Sequence, residues 1–202
     1  PFPTREETIL PDNLATTFAT QLVSAQGQQS YTFVYNGSDV RLEYEVHRPD
    51  ASGWGPIAVK LDGVKVAEAM ADAGVLFSEA ARNARLSRAE AKGDVLHGEW
   101  QCSLGDKDVV IESDIRLWQK SLVVDYICRG GDATELSYGY IAGVEKPELI
   151  LLPYLNYGGH HLNVLMSRGS KPFFASVWMD WYRSNASAPY AVDKIEGNRV
   201  RL

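Results

Sequence analysis

The feature that most constrains this chain is a strict alternation of apolar and polar residues in runs separated by short turns. Three runs follow one another: DVLHGEWQCS at 94–103, DVVIESDIRLWQ at 108–119 and SLVVDYICRG at 121–130. Side chains on a strand point to opposite faces with period two, so each run has one apolar and one polar side. A turn at Leu104 to Lys107 sets Cys102 opposite Val109, Trp100 opposite Ile111 and Leu96 opposite Ile115. A turn at Gln119-Lys120 sets Leu117 opposite Leu122, Ile115 opposite Val124 and Ile111 opposite Cys128. Both registers assemble one continuous apolar face, and a slip of one residue would scatter it. They also bear on the two cysteines. Cys102 and Cys128 fall on one face with a strand between them, about 9.6 Å apart across two strand spacings. That is beyond the ~7 Å Cα separation a disulfide can span. Two free, core-facing thiols are expected.

The same grammar extends along the chain. VRLEYEV at 40–46 puts Val40, Leu42, Tyr44 and Val46 on one face and Arg41, Glu43 and Glu45 on the other. Asn36-Gly37, after YTFVY, is a hairpin signal because both residues tolerate positive φ. IAVKLDGVKVA centres on Asp62-Gly63. That turn pairs Leu61 with Val64 and Val59 with Val66, with Lys60 and Lys65 opposite each other. Further strands are expected at TELSYGYIAG, ELILLPYLNY, HLNVLMS and FFASVWMDWY, the last covering 173–182. ATTFATQLVS reads as strand or helix. The Ala-rich stretch 67–84, AEAMADAGVLFSEAARNA, reads as a short helix or a mixed connection. Many short strands with regular turns predict an all-β fold, an antiparallel β-sandwich with at most one short helix, spanning 1–202 as a single domain.

Composition narrows the partners. A formal net charge of -6 argues against nucleic acid or an anionic membrane surface as the main partner. No apolar run approaches the ~18 residues of a membrane span. The start, PFPTREE, has no Met, and the end, KIEGNRVRL, reads as a strand, so a segment of a longer polypeptide is expected.

The phrases RLWQKSLVVDYICRGGDATELSYGYIAG, LILLPYLNYGG and FFASVWMDWYRSNAS resemble a β-sandwich domain of large bacterial glycoside hydrolases. There it precedes the catalytic barrel, in relatives of the endo-α-N-acetylgalactosaminidases. That domain belongs to the galactose-mutarotase-like supersandwich group. The likeness covers about residues 95 to 187 and rests on strand grammar rather than a catalytic signature. It implies an accessory role beside a downstream catalytic domain of the same polypeptide, contact with a polysaccharide, and an extracellular or periplasmic location. The His general acid and spaced carboxylate base of true mutarotases match no positions here, so no catalytic residue is assigned and no cofactor is implied.

Chemistry-bearing residues gather in three places. In 172–187, one face of the expected strand carries Phe173, Ala175, Val177, Met179 and Trp181. The other carries Phe174, Ser176, Trp178, Asp180 and Tyr182, mixing rings with hydrogen-bonding groups. Large amphipathic aromatics with a few polar groups suit a glycan, whose C–H faces stack on indole while carboxylate and hydroxyl groups read its hydroxyls. The alternative is a strand buried on both faces between two sheets, or covered by a neighbouring domain. In LNYGGHHLN, His160 and His161 flank a Gly-Gly bend. Adjacent histidines on a strand face opposite ways and do not readily share a metal ion, so no metal site is expected. A His160 or His161 opposite Asp180 would be an acid–base pair only if the two segments are neighbours. Last, Glu112 and Asp114 share the polar face of one strand, with Asp125 opposite Asp114 and Arg116 and Arg129 close by. Two carboxylates about 5 to 10 Å apart are what glycosidases use, but a salt-bridged solvated face fits these residues better.

Overall fold

The alternating runs fold as strands, and the turns between them set the sheet order. The computed structural model describes residues 17–24, 30–47, 49–50, 53–157, 160–180, 182–186 and 194–202, with strand path alone for Ser24, 152–157 and 160–163. The first five strands are β1 (Phe18–Ser24), β2 (Ser30–Gly37), β3 (Arg41–His47), β4 (Ile57–Leu61) and β5 (Val64–Ala71). Then come β6 (Gly74–Phe77), β7 (Arg82–Lys92), β8 (Val95–Leu104), β9 (Lys107–Trp118) and β10 (Ser121–Cys128). Next are β11 (Ala133–Ser137), β12 (Tyr140–Ala142), β13 (Pro147–Tyr157), β14 (His160–Ser167) and β15 (Phe173–Ala175). The last are β16 (Lys194–Glu196) and β17 (Arg199–Arg201). They form an eight-stranded sheet in the order β1-β2-β3-β4-β5-β12-β17-β16 and a four-stranded sheet β10-β9-β8-β7. A ribbon β11-β6 and a three-stranded sheet β13-β14-β15 complete the fold. All pairings are antiparallel.

The two large sheets pack face to face. Phe33, Val46 and Ile57 from one meet Leu96, Trp100 and Ile115 from the other. Every cross-strand pair read for the β8–β9–β10 meander is present, from Cys102↔Val109 to Ile111↔Cys128. Both cysteines are free thiols, and with Val109 they belong to a small cluster covered by Phe77 of β6. The loop tryptophan Trp54 drops into the core. Its indole meets Trp100 edge to face at 5.1 Å, and its Nε1 donates to the buried Ser113 Oγ at 3.0 Å. Gly98 leaves room for this pair, since a Cβ there would lie 2.5 Å from both indoles. Across the sandwich, the Tyr44 hydroxyl donates to the Lys120 carbonyl at 2.7 Å, and Lys120 pairs with Asp39. That ammonium holds the Asp39 carboxyl below its usual range.

Four readings need correction. The stretch 67–84 contains no helix: it supplies the end of β5, all of β6 and the start of β7. Ala67 and Ala71 serve as small buried residues of β5, so tertiary packing overrides helix propensity. The first hairpin turns at Ser38-Asp39, closed by Gly37 N donating to the Val40 carbonyl at 3.1 Å. Asn36 and Gly37 end β2 instead, and a Cβ on Gly37 would lie 2.5 Å from the Tyr35 hydroxyl. In the second hairpin, Asp62 and Gly63 do take positive φ, and Leu61 faces Val64 and Lys60 faces Lys65. A bulge then moves Val59 opposite Ala67 rather than Val66, because one extra residue enters β5. The fourth concerns the aromatic segment and is taken up with the site. Of ATTFATQLVS, the part FATQLVS is a strand, β1, while Ala15 and Thr16 lie outside the described residues.

Candidate functional site

The aromatic segment follows the three-stranded sheet. Leu149, Leu165 and Ala175 stand in one cross-strand row, and Glu148, Met166 and Phe174 in the next. The first row faces inward: Leu165 is fully buried and packs with Val144, Val200, Leu149, Phe173 and Ala175. Ser167, also buried, fixes the β14 end by donating its Oγ proton to the Glu145 carbonyl at 3.0 Å. The second row therefore faces out, and Phe174 is 68% exposed on it. Ile150, opposite Val164, extends the same outer surface. Glu148 and Arg168 form an ion pair at its rim, 2.9 Å apart.

The ladder ends at Leu165↔Ala175, so β15 has three residues where ten were expected. Alternation of burial nevertheless runs on through an extended segment without ladder bonds. Val177 and Met179 are half-buried, while Ser176, Trp178 and Asp180 are exposed. The segment then turns, because Asp180 Oδ1 accepts the Tyr182 amide at 3.1 Å and the Asp180 carbonyl accepts Arg183 N at 3.2 Å. Such Asx turns compete with strand extension. Tyr182 thus projects from a turn, fully exposed, rather than from a strand. The structure keeps the two faces of 173–180 and leaves the second one uncovered by the described residues of this chain: Trp178 is 56% exposed.

These side chains have a definite chemistry. Trp178 Nε1 donates to Ser176 Oγ at 2.6 Å, so the indole edge is held and its face is presented. Phe174 adds a second ring from the same outward row, and Asp180 supplies a carboxylate already engaged by its own turn. His160 and His161 lie at the start of β14, where they pair with Tyr157 and Asn156. Their side chains, like Trp181, lie outside the described residues. The β14–β15 ladder covers only Leu165 to Ser167, so among the described pairings none brings either histidine opposite Asp180.

The carboxylates of the meander are engaged by basic side chains. Arg129 Nε donates to Glu112 at 2.8 Å and lowers its pKa, Arg116 pairs with Asp125, and His97 Nδ1 lies 2.7 Å from Asp114 Oδ1. Asp125 does stand opposite Asp114, and this interleaving of cations offsets the like-charge contact. Among the described residues no cluster of three or more His, Cys, Asp or Glu could hold a metal ion.

Two features escape a reading by period alone. His97 faces Asp114 through the register that sets Leu96 opposite Ile115, so the pairing was available one residue along. The other is a row of arginines. Arg82, Arg85 and Arg88 recur with period three, a helical spacing. Two bulges place them opposite Ser103, Gln101 and Glu99, all on the outer face of β8. Asn83, at φ 54°, makes the first of these bulges, a conformation asparagine tolerates better than most residues.

Fold and site together define an antiparallel, all-β sandwich-like protein with an open aromatic face. Comparison with family models, with curated proteins and with solved structures finds nothing that matches this chain.

Proposed function

We propose that this chain is a non-catalytic, carbohydrate-associated β-sandwich of galactose-mutarotase-like type, which scaffolds a catalytic domain and contacts a glycan through its aromatic face. One observation carries the reading: the alternation at 173–180 packs its odd residues and leaves Phe174, Ser176, Trp178 and Asp180 open. A ring held by its own Nε1 hydrogen bond, with hydroxyl and carboxylate neighbours, is what pyranose stacking requires. The engagement of Glu112 and Asp125 by arginines and of Asp114 by His97 supports a binding rather than a hydrolytic role. Secretion and a place in a glycoside hydrolase follow from the family resemblance and belong to this proposal.

Tryptophan-fluorescence titration against a panel of neutral and acidic oligosaccharides tests it, with Trp178→Ala as the control. Saturable quenching or enhancement that the substitution abolishes is the expected result. No response to any sugar from a face that remains open to a soluble quencher sinks the glycan reading. A second reading rests on Ile150, an exposed apolar residue on the same outer face of the sheet as Phe174. It makes the surface a docking face for another domain, with concentration-dependent self-association that Phe174→Ser relieves.

A further inference from the structure

We propose a second, separate site: the cavity at one end of the sandwich binds a small uncharged aromatic molecule of one or two rings. The cavity has a volume of about 220 Å³ and lies between the two large sheets beneath β6. By comparison, an apolar cavity of about 150 Å³ holds benzene. Its larger walls are Trp54, Trp100, Met70, Phe77, Cys102 and Tyr126, and among the described residues no charged side chain lines it. The indole N–H and phenol groups of those walls already have hydrogen-bond partners. Trp54 Nε1 donates to Ser113, Trp100 Nε1 donates to the Asp50 carbonyl at 2.7 Å, and Tyr126 hydrogen-bonds Ser113. Burial keeps the Cys102 thiol protonated, which leaves that wall neutral as well. A sugar would find no hydrogen-bond partners there beyond backbone. A ring would find indole faces and edges set at 82° to each other and a thioether beside them, the contacts aromatic molecules favour. Ala73, Gly74, Ala81 and Ala84 also line it, and because Ala81 and Ala84 are exposed the cavity opens to solvent beside them, which gives a ring a way in. A ligand that binds the folded chain there and not the unfolded one stabilises it.

Indole is the probe. The chain has three methionines, which separate the two sites in a methyl-labelled NMR titration. Met70 lines the cavity, whereas Met166 and Met179 belong to the aromatic segment and its sheet. The Met70 methyl should shift saturably while the other two stay in place, and Ala84→Trp, which plugs the cavity wall, should abolish the shift. A Met70 signal unmoved up to the solubility limit of indole overturns the proposal, and so does an equal shift in the folded Ala84→Trp variant. Should that variant not fold, alkylation of Cys102 in a Cys128→Ser background gives an independent reading. Indole at ten times its Kd should slow the reaction about tenfold, as the unoccupied fraction falls. An unchanged rate overturns the proposal. Loss of glycan binding at Trp178 would leave all of these readings untouched.

Discussion

The meander β8–β10 and the segment 173–180 obey the same period of two, yet they use their second faces differently. In the meander the inner row, Leu96, Trp100 and Ile115, closes the sandwich core. The outer row, Glu112, Asp114 and Asp125, is engaged by the side chains of Arg129, His97 and Arg116. In 173–180 the inner row packs in the same way, through Phe173 and Ala175. Its outer row carries Phe174 and Trp178 open to water, with charge only at its margins, in Asp180 and the Glu148–Arg168 pair. The packed face tells where a strand belongs. The other face tells what the molecule meets, and rings left in water there mark a surface built for contact.

That contrast makes graded predictions. Leu96→Ala, in the meander core, should cost about 2–5 kcal/mol in urea unfolding, through lost burial and the cavity left behind. Ser113→Ala strands the buried Trp54 N–H and should cost about 1–3 kcal/mol. A value near zero would mean that the indole finds another partner. Alkaline pH should act on the same sandwich. Burial pushes Tyr44 and Tyr126 up to about 12, against about 10 for a free phenol. Folding favours their neutral forms, so this contribution is complete below pH 10 and is lost as pH rises from 10 through 12. The melting temperature should fall across that window, and Tyr44→Phe with Tyr126→Phe should flatten the fall. Arg129→Ala removes an exposed, solvent-screened pairing and should leave the urea midpoint almost where it is. Smallest of all, Trp178→Ala should leave stability within about 0.5 kcal/mol while abolishing ligand response. If it destabilised the chain as Leu96→Ala does, the two regions would be alike and the aromatic face would be core.

Much of the architecture was written in local sequence. Alternation fixed the meander registers, because only one pairing keeps Leu96, Trp100, Ile111 and Ile115 on a common face. It also fixed the sidedness of 173–180 and kept Cys102 and Cys128 apart. The site was legible as a list of rings and a carboxylate, but not as a surface. Asp180 reads as a ligand group in sequence, whereas in the fold its Oδ1 first builds the turn that ends the segment.

Tertiary structure decided the rest. Whether Ala67, Ala69 and Ala71 belong to a helix or a strand depended on β4 and β12 being there to pair with β5, and propensity alone cannot supply a neighbour. The bulges at Asn83 and Ser87 turned a helical arginine spacing into one face of an edge strand. Trp54 entered the core only because Ser113 and Trp100 meet it there from distant parts of the chain. Alternation is a property of neighbours in sequence, so the sequence carried it. Which face is covered, and by what, depends on residues far apart in the chain, and only the folded molecule could assign it.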